Sequence, residues 1–381
     1  MIQFESIELF EVDMAMSQSI VTGHGVIGSR RILLVKGTTP QGIVWSECGA
    51  LSIPTYHYET IDTAFLALSQ WVLPKIVGKN FESPEAVRVE MEQGINGHYF
   101  AKASIEMASW AVAALEKTQS LATLLGGTYS SVQCGAVISA RSDVGLMGEE
   151  ALELVRMGYR RIKVKIMPGV DPAVLTRLRA VLPSSIQLFA DANGSYSGCD
   201  NEMVVSICRS GIDLFEQPFR KDEFLRHRVI QKMSPVPVCL DESIESIDHL
   251  ETAAVLGACQ SISIKPGRVG GIGPALAIYR RAIELGIEPW LGGMFETGIG
   301  RAYNLAISGV IQGRWIGDMS PSGRYWANDL VLGRDEIAVG DGMAINYLEN
   351  GANFVVDEAL VSRLTIRKQK IANPIPMNYS K

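Results

Sequence analysis

Short apolar runs, each closed by a lysine or an acid, punctuate the middle of the chain at an almost constant interval. They are RIKVKI around Lys165, IQLFAD ending at Asp191, IDLFE ending at Glu216, VPVCLD ending at Asp241 and SISIK ending at Lys265. From 165 to 191, 216, 241 and 265 the steps are 26, 25, 25 and 24 residues, the length of one strand, one helix and two short loops. A parallel strand buried on both faces reads as a continuous apolar run and reaches its neighbour through a helical crossover. The intervening segments have helical spacing: Val174, Leu175, Leu178 and Val181 in one, and Leu276, Ala277, Tyr279, Ile283 and Leu285 in another. If such a repeat closes into a barrel, the strand-closing residues share one rim, where barrels of this kind do their chemistry.

Before the repeat the pattern changes. Residues 2–12, 31–36 and 42–48 read as strands, the last two joined by a turn at 38–41, while SQSIVTGHGVIGS at 17–29 is polar and glycine-rich and is expected as a mobile loop. Helices are expected at about 59–76, 83–93 and 101–117, the third with Ile105, Ala108, Val112 and Leu115 on one face. A linker at 121–127 leads to a first barrel strand at 132–139, and the seventh is expected at 289–292. An eighth is placed at 314–317, leading to Asp318, and the chain after Gly333 is expected to return to the first unit.

At 381 residues the chain exceeds one ordinary core, and 20% charged with 47% hydrophobic residues suits a globular enzyme. A net charge of −6 argues against a nucleic-acid surface, and no apolar stretch approaches the roughly 18 residues of a membrane span. MIQFESIELFEVD carries three glutamates and no basic residue, so no signal or transit peptide is expected. Six cysteines without a Cys-x-x-Cys pair suit a reducing cytoplasm.

Carboxylates on three adjacent strands repel one another unless a cation sits among them, and all-oxygen ligation suits a hard ion such as Mg²⁺. Asp191, Glu216 and Asp241 are therefore candidate metal ligands. Any one of them alone would read as a helix N-cap or a salt-bridged acid, and three in register weigh against that. Lys163 and Lys165 alternate with Val164 and point to one side of their strand. With Lys265 across the rim, like charge and partial burial would lower lysine pKa values towards those of working bases. None of the five histidines closes a barrel strand, so His24 and His57 are expected as ordinary loop residues. PGRVGGIG at 266–273 lacks both the G-x-G-x-x-G spacing and a Gly-Lys-Ser/Thr end, which argues against a phosphate loop.

Together KVK at 163–165, DANG from Asp191, EQP from Glu216, DES from Asp241 and KPGRVGG from Lys265 resemble the enolase superfamily. GGMFETGIGRAYNLA, from Gly292 to Ala306, narrows the resemblance to the o-succinylbenzoate synthase and N-succinylamino acid racemase family, over about Ile7 to Gly342. The resemblance implies an α/β fold: an α+β capping domain at 1–125, a TIM-like (β/α)₇β barrel at 126–333 and a segment at 334–381 returning to the cap. It implies Mg²⁺, with Mn²⁺ admissible, on Asp191, Glu216 and Asp241, and Lys165 and Lys265 as catalytic lysines facing each other across the substrate α-carbon. Lys163, Asn193, Glu242 and Arg268 would support them, with Ser139, Tyr56, Gly292, Gly293 and Met294 against the substrate. Tyr56 enters from SIPTYHYE at 52–59, similar to a substrate-covering segment.

The implied reaction is dehydration of 2-succinyl-6-hydroxy-2,4-cyclohexadiene-1-carboxylate to o-succinylbenzoate, a step of menaquinone biosynthesis, together with N-succinylamino acid racemisation. Both begin with loss of a proton alpha to a carboxylate. The substrate would be a small carboxylate, the assembly a homo-oligomer, and no nucleic-acid or membrane partner is expected. A dedicated racemase and a dipeptide epimerase are the alternatives; the latter carries an Asp-x-Asp at the eighth strand, where this chain reads Gly317, Asp318, Met319. A non-catalytic metal-binding barrel would lack a lysine or an acid, and none is missing. An assembly role would need an added segment, for which only the basic tail RKQKIANPIPMNYSK offers itself, and it reads as a surface strand with a frayed end. Arg268, if it approaches Lys265, would lower that lysine's pKa and favour an enzyme with both activities; otherwise it is a surface arginine bonding a carboxylate.

Overall fold

The computed structural model describes residues 1–22, 25–139, 143–170, 172–333, 342–345, 351–352 and 354–372, with the backbone alone at 18–22, 25–27 and 344. Three strands, β1 (Ser6–Thr22), β2 (Gly25–Thr39) and β3 (Gly42–Cys48), form an antiparallel meander. Ile7 and Leu9 with Leu33 and Val35 face the main core, whereas Phe10, Val12 and Met14 pack with Ile32, Leu34 and Trp45 on the other side. The polar stretch at 17–29 is thus not a loop. Pairing is interrupted after Ala15↔Ser29 and resumes at Ile20↔Ile27, Val21↔Val26 and Thr22↔Gly25. The glycines and serines there disguised two β-branched runs, the composition that favours an extended backbone. His24 lies outside the described residues.

Helices α1 (Ile61–Ala67, continued as one π turn and a last turn to Ile76), α2 (Pro84–Glu92) and α3 (Tyr99–Glu116) follow. The expected linker at 121–127 opens with a short helical turn, Leu121–Leu124. Helix α3 is buried on nearly every face, and its alanines let it pack closely on β3 and on the short helix Pro266–Val269.

The repeat forms a seven-stranded parallel sheet in sequential order. Its strands are β4 (Gly135–Ser139), β5 (Arg161–Lys165), β6 (Gln187–Asp191), β7 (Leu214–Glu216), β8 (Val238–Leu240), β9 (Ser261–Ile264) and β10 (Glu288–Leu291). The crossover helices begin with α4 (Val144–Arg156), α5 (Pro172–Val181) and α6 (Asn201–Cys208). They continue with α7 (Phe224–Met233), α8 (Ile247–Leu256), α9 (Ile272–Glu284) and α10 (Gly298–Ser308). Residues 314–317 form no strand. The sheet closes instead through 318–320: Asp318 N–H donates to Leu291 O at 2.9 Å, Gly135 N–H to Met319 O at 3.1 Å and Ser320 Oγ to Gly135 O at 2.8 Å. A Cβ on Gly317 would lie 2.3 Å from Leu291 O, so only glycine permits this approach. After helix α11 (Glu358–Leu364), strand β11 (Thr365–Ile371) pairs antiparallel with β1 as the edge of the first sheet. No helix among the described residues is long and apolar enough to cross a membrane.

Three buried glutamates of the N-terminal half each receive the backbone N–H groups that open a helix, which have no partner within the helix itself. Glu59 accepts from Phe100 and Ala101 at the start of α3, both at 2.8 Å. Glu47 accepts from Thr297 and Gly300 at the start of α10, at 3.0 and 3.2 Å. Glu106, on α3, accepts from Ile272 at 2.7 Å and Gly273 at 2.8 Å, joining the first unit to barrel helix α9. The glycine run after Lys265 serves this contact rather than a phosphate. Gly271 has φ +128°, and a Cβ there would lie 2.2 Å from a Glu106 oxygen.

Burial pushes the Glu106 carboxyl up to about 7, against the Gly273 and Ile272 N–H groups that pull it down. Between its ordinary 4.5 and about 7 the folded chain retains a proton that the unfolded chain releases, so stability falls as pH rises through that window. Glu106→Gln is expected to make urea-derived stability less dependent on pH between 4.5 and 7. Glu106→Ala, which strands two buried N–H groups, is expected to cost roughly 2–4 kcal/mol. Wild-type unfolding midpoints in both variants at all pH values would contradict this account.

Candidate active site

Pairing register alone assembles part of the site. Ser139, Lys165, Asp191 and Glu216 are successive Cα partners across β4, β5, β6 and β7 and stand in one row. Asp241 and Lys265 follow the ends of β8 and β9. The rim carries a cleft with about 790 Å³ of unfilled space open to solvent, lined in part by Lys163, Lys165, Lys265, Asn193 and Asp318. Asp191, Glu216 and Asp241 are buried behind the lysines and not on the cleft wall.

Each acid is met by cations. Lys165 Nζ lies 2.6 Å from Asp191 and 2.6 Å from Asn193 Oδ1. Lys163 Nζ lies 2.8 Å from Asp318, 3.0 Å from Glu216 and 3.3 Å from Asp191. Lys265 Nζ takes one Asp241 oxygen at 2.7 Å, and Arg268 takes the other. Tyr56 OH accepts from Arg268 at 2.6 Å and from Lys265 at 3.1 Å, tying the loop at 52–59 to the site. Asn193, held at φ +43°, donates to Glu242 at 3.0 Å.

Burial would raise every acid here, and neighbours decide which stay charged. For Asp241, burial is outweighed by Lys265 and Arg268, which hold it well below the usual range. Asp191 is likewise held down by Lys165 and Lys163 against burial. Glu216 has no such majority: burial, then Asp191, pushes it up to about 8 although Lys163 pulls the other way. Glu242 is pushed up to about 7 by burial and Asp241.

The acids as they stand lean towards lysines and arginine, and among the described residues no three acids converge in coordinating positions. Their chemistry nevertheless fits a divalent cation. Glu216 is fully buried, its Oε1 has no hydrogen-bond partner, and the carboxylates of Asp191, Asp241 and Asp318 crowd it. That is the electrostatic deficit a hard ion relieves.

Of the residues expected against the substrate, Tyr56, Gly293 and Met294 line the cleft. Gly292 lies behind Lys265: a Cβ would come within 2.9 Å of that side chain, so glycine leaves the lysine its room. Ser139 ends β4 beside Lys165 in register and is not on the cleft wall. His57 is buried elsewhere, its Nδ1 accepting from Glu59 N–H at 3.1 Å and its Nε2 3.3 Å from Glu245. Arg268 is not a surface arginine; it is fully buried. The expectation that Lys265 has a lowered pKa is overturned. Burial and Arg268 do pull it down, but Asp241 and Tyr56 outweigh them and Lys265 stays well above its ordinary value.

Three residues at the site escaped the sequence reading. Gln217, at φ +39° and fully buried, accepts from Asp241 N–H at 2.8 Å and donates to Ser243 Oγ at 2.8 Å, fixing the loop that presents Asp241. Asp318 is expected from the sequence at the end of an eighth strand and as half of a missing pair, not as the partner of Lys163 and Arg161. Arg161 went unread, although its alternation with Lys163 and Lys165 was the available signal.

The chain is similar to known proteins over most of its length. Residues 6–126 match the family described as mandelate racemase / muconate lactonizing enzyme, N-terminal domain, and residues 146–357 match enolase C-terminal domain-like. The chain is 37% identical over 364 residues to the o-succinylbenzoate synthase of Bacillus subtilis, covering 95% of this chain and 97% of that protein. It is 33% identical to the N-succinylamino acid racemase of Thermus thermophilus, covering 90% and 91% respectively. A crystal structure of an enolase superfamily member from Listeria innocua superposes with a TM-score of 0.91 at 29% identity, covering 97% of this chain and 99% of that one.

Arg268 also donates to Ile244 O at 2.9 Å and Ser263 O at 2.6 Å, so its removal strands two carbonyls and half of a buried ion pair. Arg268→Met is expected to lower the free energy of unfolding by about 3 kcal/mol in urea titration. A loss under about 0.5 kcal/mol would show that the pair contributes no stability.

Proposed function

The chain belongs to the enolase superfamily, within the o-succinylbenzoate synthase and N-succinylamino acid racemase family, and on that footing we propose a dual-activity enzyme. It dehydrates 2-succinyl-6-hydroxy-2,4-cyclohexadiene-1-carboxylate to o-succinylbenzoate and racemises N-succinylamino acids. The observation that carries this reading is the pair Lys165 and Lys265, both on the cleft wall, with three buried acids on the strands between them.

Mg²⁺, or Mn²⁺ in its place, held by Asp191, Glu216 and Asp241 would supply a Lewis acid that stabilises charge developing on the substrate carboxylate. Lys165, positioned by Asn193 and Asp191, takes the α-proton. In the dehydration it returns that proton to the departing hydroxyl, so that water leaves and the ring becomes aromatic. Lys265 remains a cation throughout and steadies the enediolate, a role suited to its raised pKa. In the racemisation the two lysines exchange protons on opposite faces of the α-carbon, and Lys265 must then lose its proton. Arg268 favours that loss by drawing the lysine down, and burial acts in the same direction. A dipeptide epimerase is disfavoured, since Met319 follows Asp318 and Ser320 stands where the second acid of an Asp-x-Asp would fall.

The same reading divides the chain into a cap at 1–125, a barrel at 126–333 and a returning segment at 334–381, the last supported by β11 at the edge of the first sheet. It places the enzyme in the cytoplasm, in menaquinone biosynthesis and as a homo-oligomer. No disulfide joins any of the six cysteines, which supports a reducing compartment.

The test offers both substrates to the purified protein with Mg²⁺ and follows α-proton exchange in deuterated water. Both reactions are expected in the wild type. Lys265→Ala should remove exchange for one enantiomer of an N-succinylamino acid, and Lys165→Ala for the other. Exchange of both enantiomers by either single variant would refute the two-lysine assignment, and turnover of neither substrate by the wild type would refute the function.

A further inference from the structure

Inside the barrel, β5 sends Arg161, Lys163 and Lys165 inward as a column, one above the next. The lowest is the least expected. Arg161 is fully buried, with its guanidinium between the rings of Phe189 at 5.2 Å and Trp290 at 5.6 Å. Its Nε and Nη1 have no hydrogen-bond partner, and among the described residues its one carboxylate partner is Asp318. Room for it comes from Gly135 on the neighbouring strand, where a Cβ would lie 2.4 Å from the guanidinium.

Asp318 is shared. One carboxylate oxygen receives Arg161 Nη2, and the other receives Lys163 Nζ at 2.8 Å. Lys163 in turn reaches Glu216 at 3.0 Å and Asp191 at 3.3 Å. The result is a single line of alternating charge from the barrel floor to two of the acids assigned above to the metal. Without Asp318, the Lys163 ammonium would have only those two carboxylates as counter-charges and would compete with a divalent cation for them.

We propose that Asp318, seated by Arg161, is a positioning residue that holds Lys163 partly away from Glu216 and Asp191 and so leaves their oxygens available to a divalent cation. This rests on the metal assignment made under the proposed function. It assigns work to two residues outside the proposed metal-ligand set, Asp318 at the cleft wall and Arg161 below it, through their hold on Lys163.

The test uses Mn²⁺ alone, titrated by electron paramagnetic resonance into the full-length protein freed of metal, with no substrate present. Asp318→Asn is expected to weaken Mn²⁺ binding about tenfold, the lower end of what supporting partners of metal ligands contribute. Asp318→Glu keeps the charge but shifts it by one methylene and should weaken binding in the same direction, as should Arg161→Lys. In a Lys163→Met background, Asp318→Asn should change Mn²⁺ affinity by about twofold or less, because the group it acts through is gone. Should Asp318→Asn not fold, as judged by thermal unfolding, the same comparison is made with Asp318→Glu. An undiminished Asp318 effect without Lys163 would overturn the proposal in favour of a direct charge effect. Wild-type Mn²⁺ affinity in Asp318→Glu would likewise overturn positioning. Glu216→Gln is the control: if it binds Mn²⁺ as the wild type does, the metal assignment itself fails, whereas its loss of binding confines any failure to Asp318.

Discussion

Burying charge at the mouth of a barrel is the constraint on which this molecule depends. Five carboxylates (Asp191, Glu216, Asp241, Glu242 and Asp318) are withdrawn from bulk water at one rim, and an isolated buried carboxylate costs far more than a fold of this size can spare. Lys163, Lys165, Lys265, Arg161 and Arg268 are interleaved with them. The interleaving is uneven. Asp241 and Asp318 each have two close cations, while Glu216 shares Lys163 with two other acids. That unevenness concentrates the unmet negative charge in the middle of the row, between Lys165 and Lys265.

The remainder of the fold keeps that rim rigid. Seven parallel strands fix the heights of the acids through register, and three buried glutamates fasten helix beginnings that would otherwise leave N–H groups bare. Glu47 and Glu106 bind barrel helices α10 and α9 from the N-terminal half. Tyr56 adds a contact from that half to Lys265 and Arg268 themselves. The cap is thus joined to the barrel by directional bonds at the chemistry and beside it, as well as by shared apolar packing.

Much of this was legible in the sequence because parallel strands buried on both faces leave continuous apolar runs, and the acids and lysines that close them stand at a constant interval. Where no run precedes a residue, the signal disappears. The residue pattern puts Asp318 at the end of an eighth strand, but 314–317 never becomes one, and nothing in that pattern marks its carboxylate as the partner of Lys163 and Arg161. Arg161 was hidden differently: it sits inside a run read for its lysines, and the parity that turns Lys163 inward turns Arg161 inward too. The hairpin of β1 and β2 was missed because glycine and serine content outweighed the short Ile-Val-Thr and Val-Ile runs that carry its pairing. The raised pKa of Lys265 comes from Asp241 and Tyr56 outweighing burial and Arg268, and no pattern of residue types encodes that balance.

The closure of the barrel through 318–320 has one more consequence. Everywhere else on the wall, inserting or deleting a residue would slide a ladder and rotate side chains between inside and outside. At the seam there is no ladder to slide, only a few bonds from Leu291 and Gly135. Residues 312–317 are pinned instead by single contacts, Gln187 Nε2 donating to Arg314 O at 2.7 Å and Ile316 N–H donating to Gln187 Oε1 at 2.9 Å, with Trp315 buried against Phe189. The wall there is fastened like a clasp, by side chains and not by register, so the row from Ser139 to Glu216 takes its level from the other strands alone.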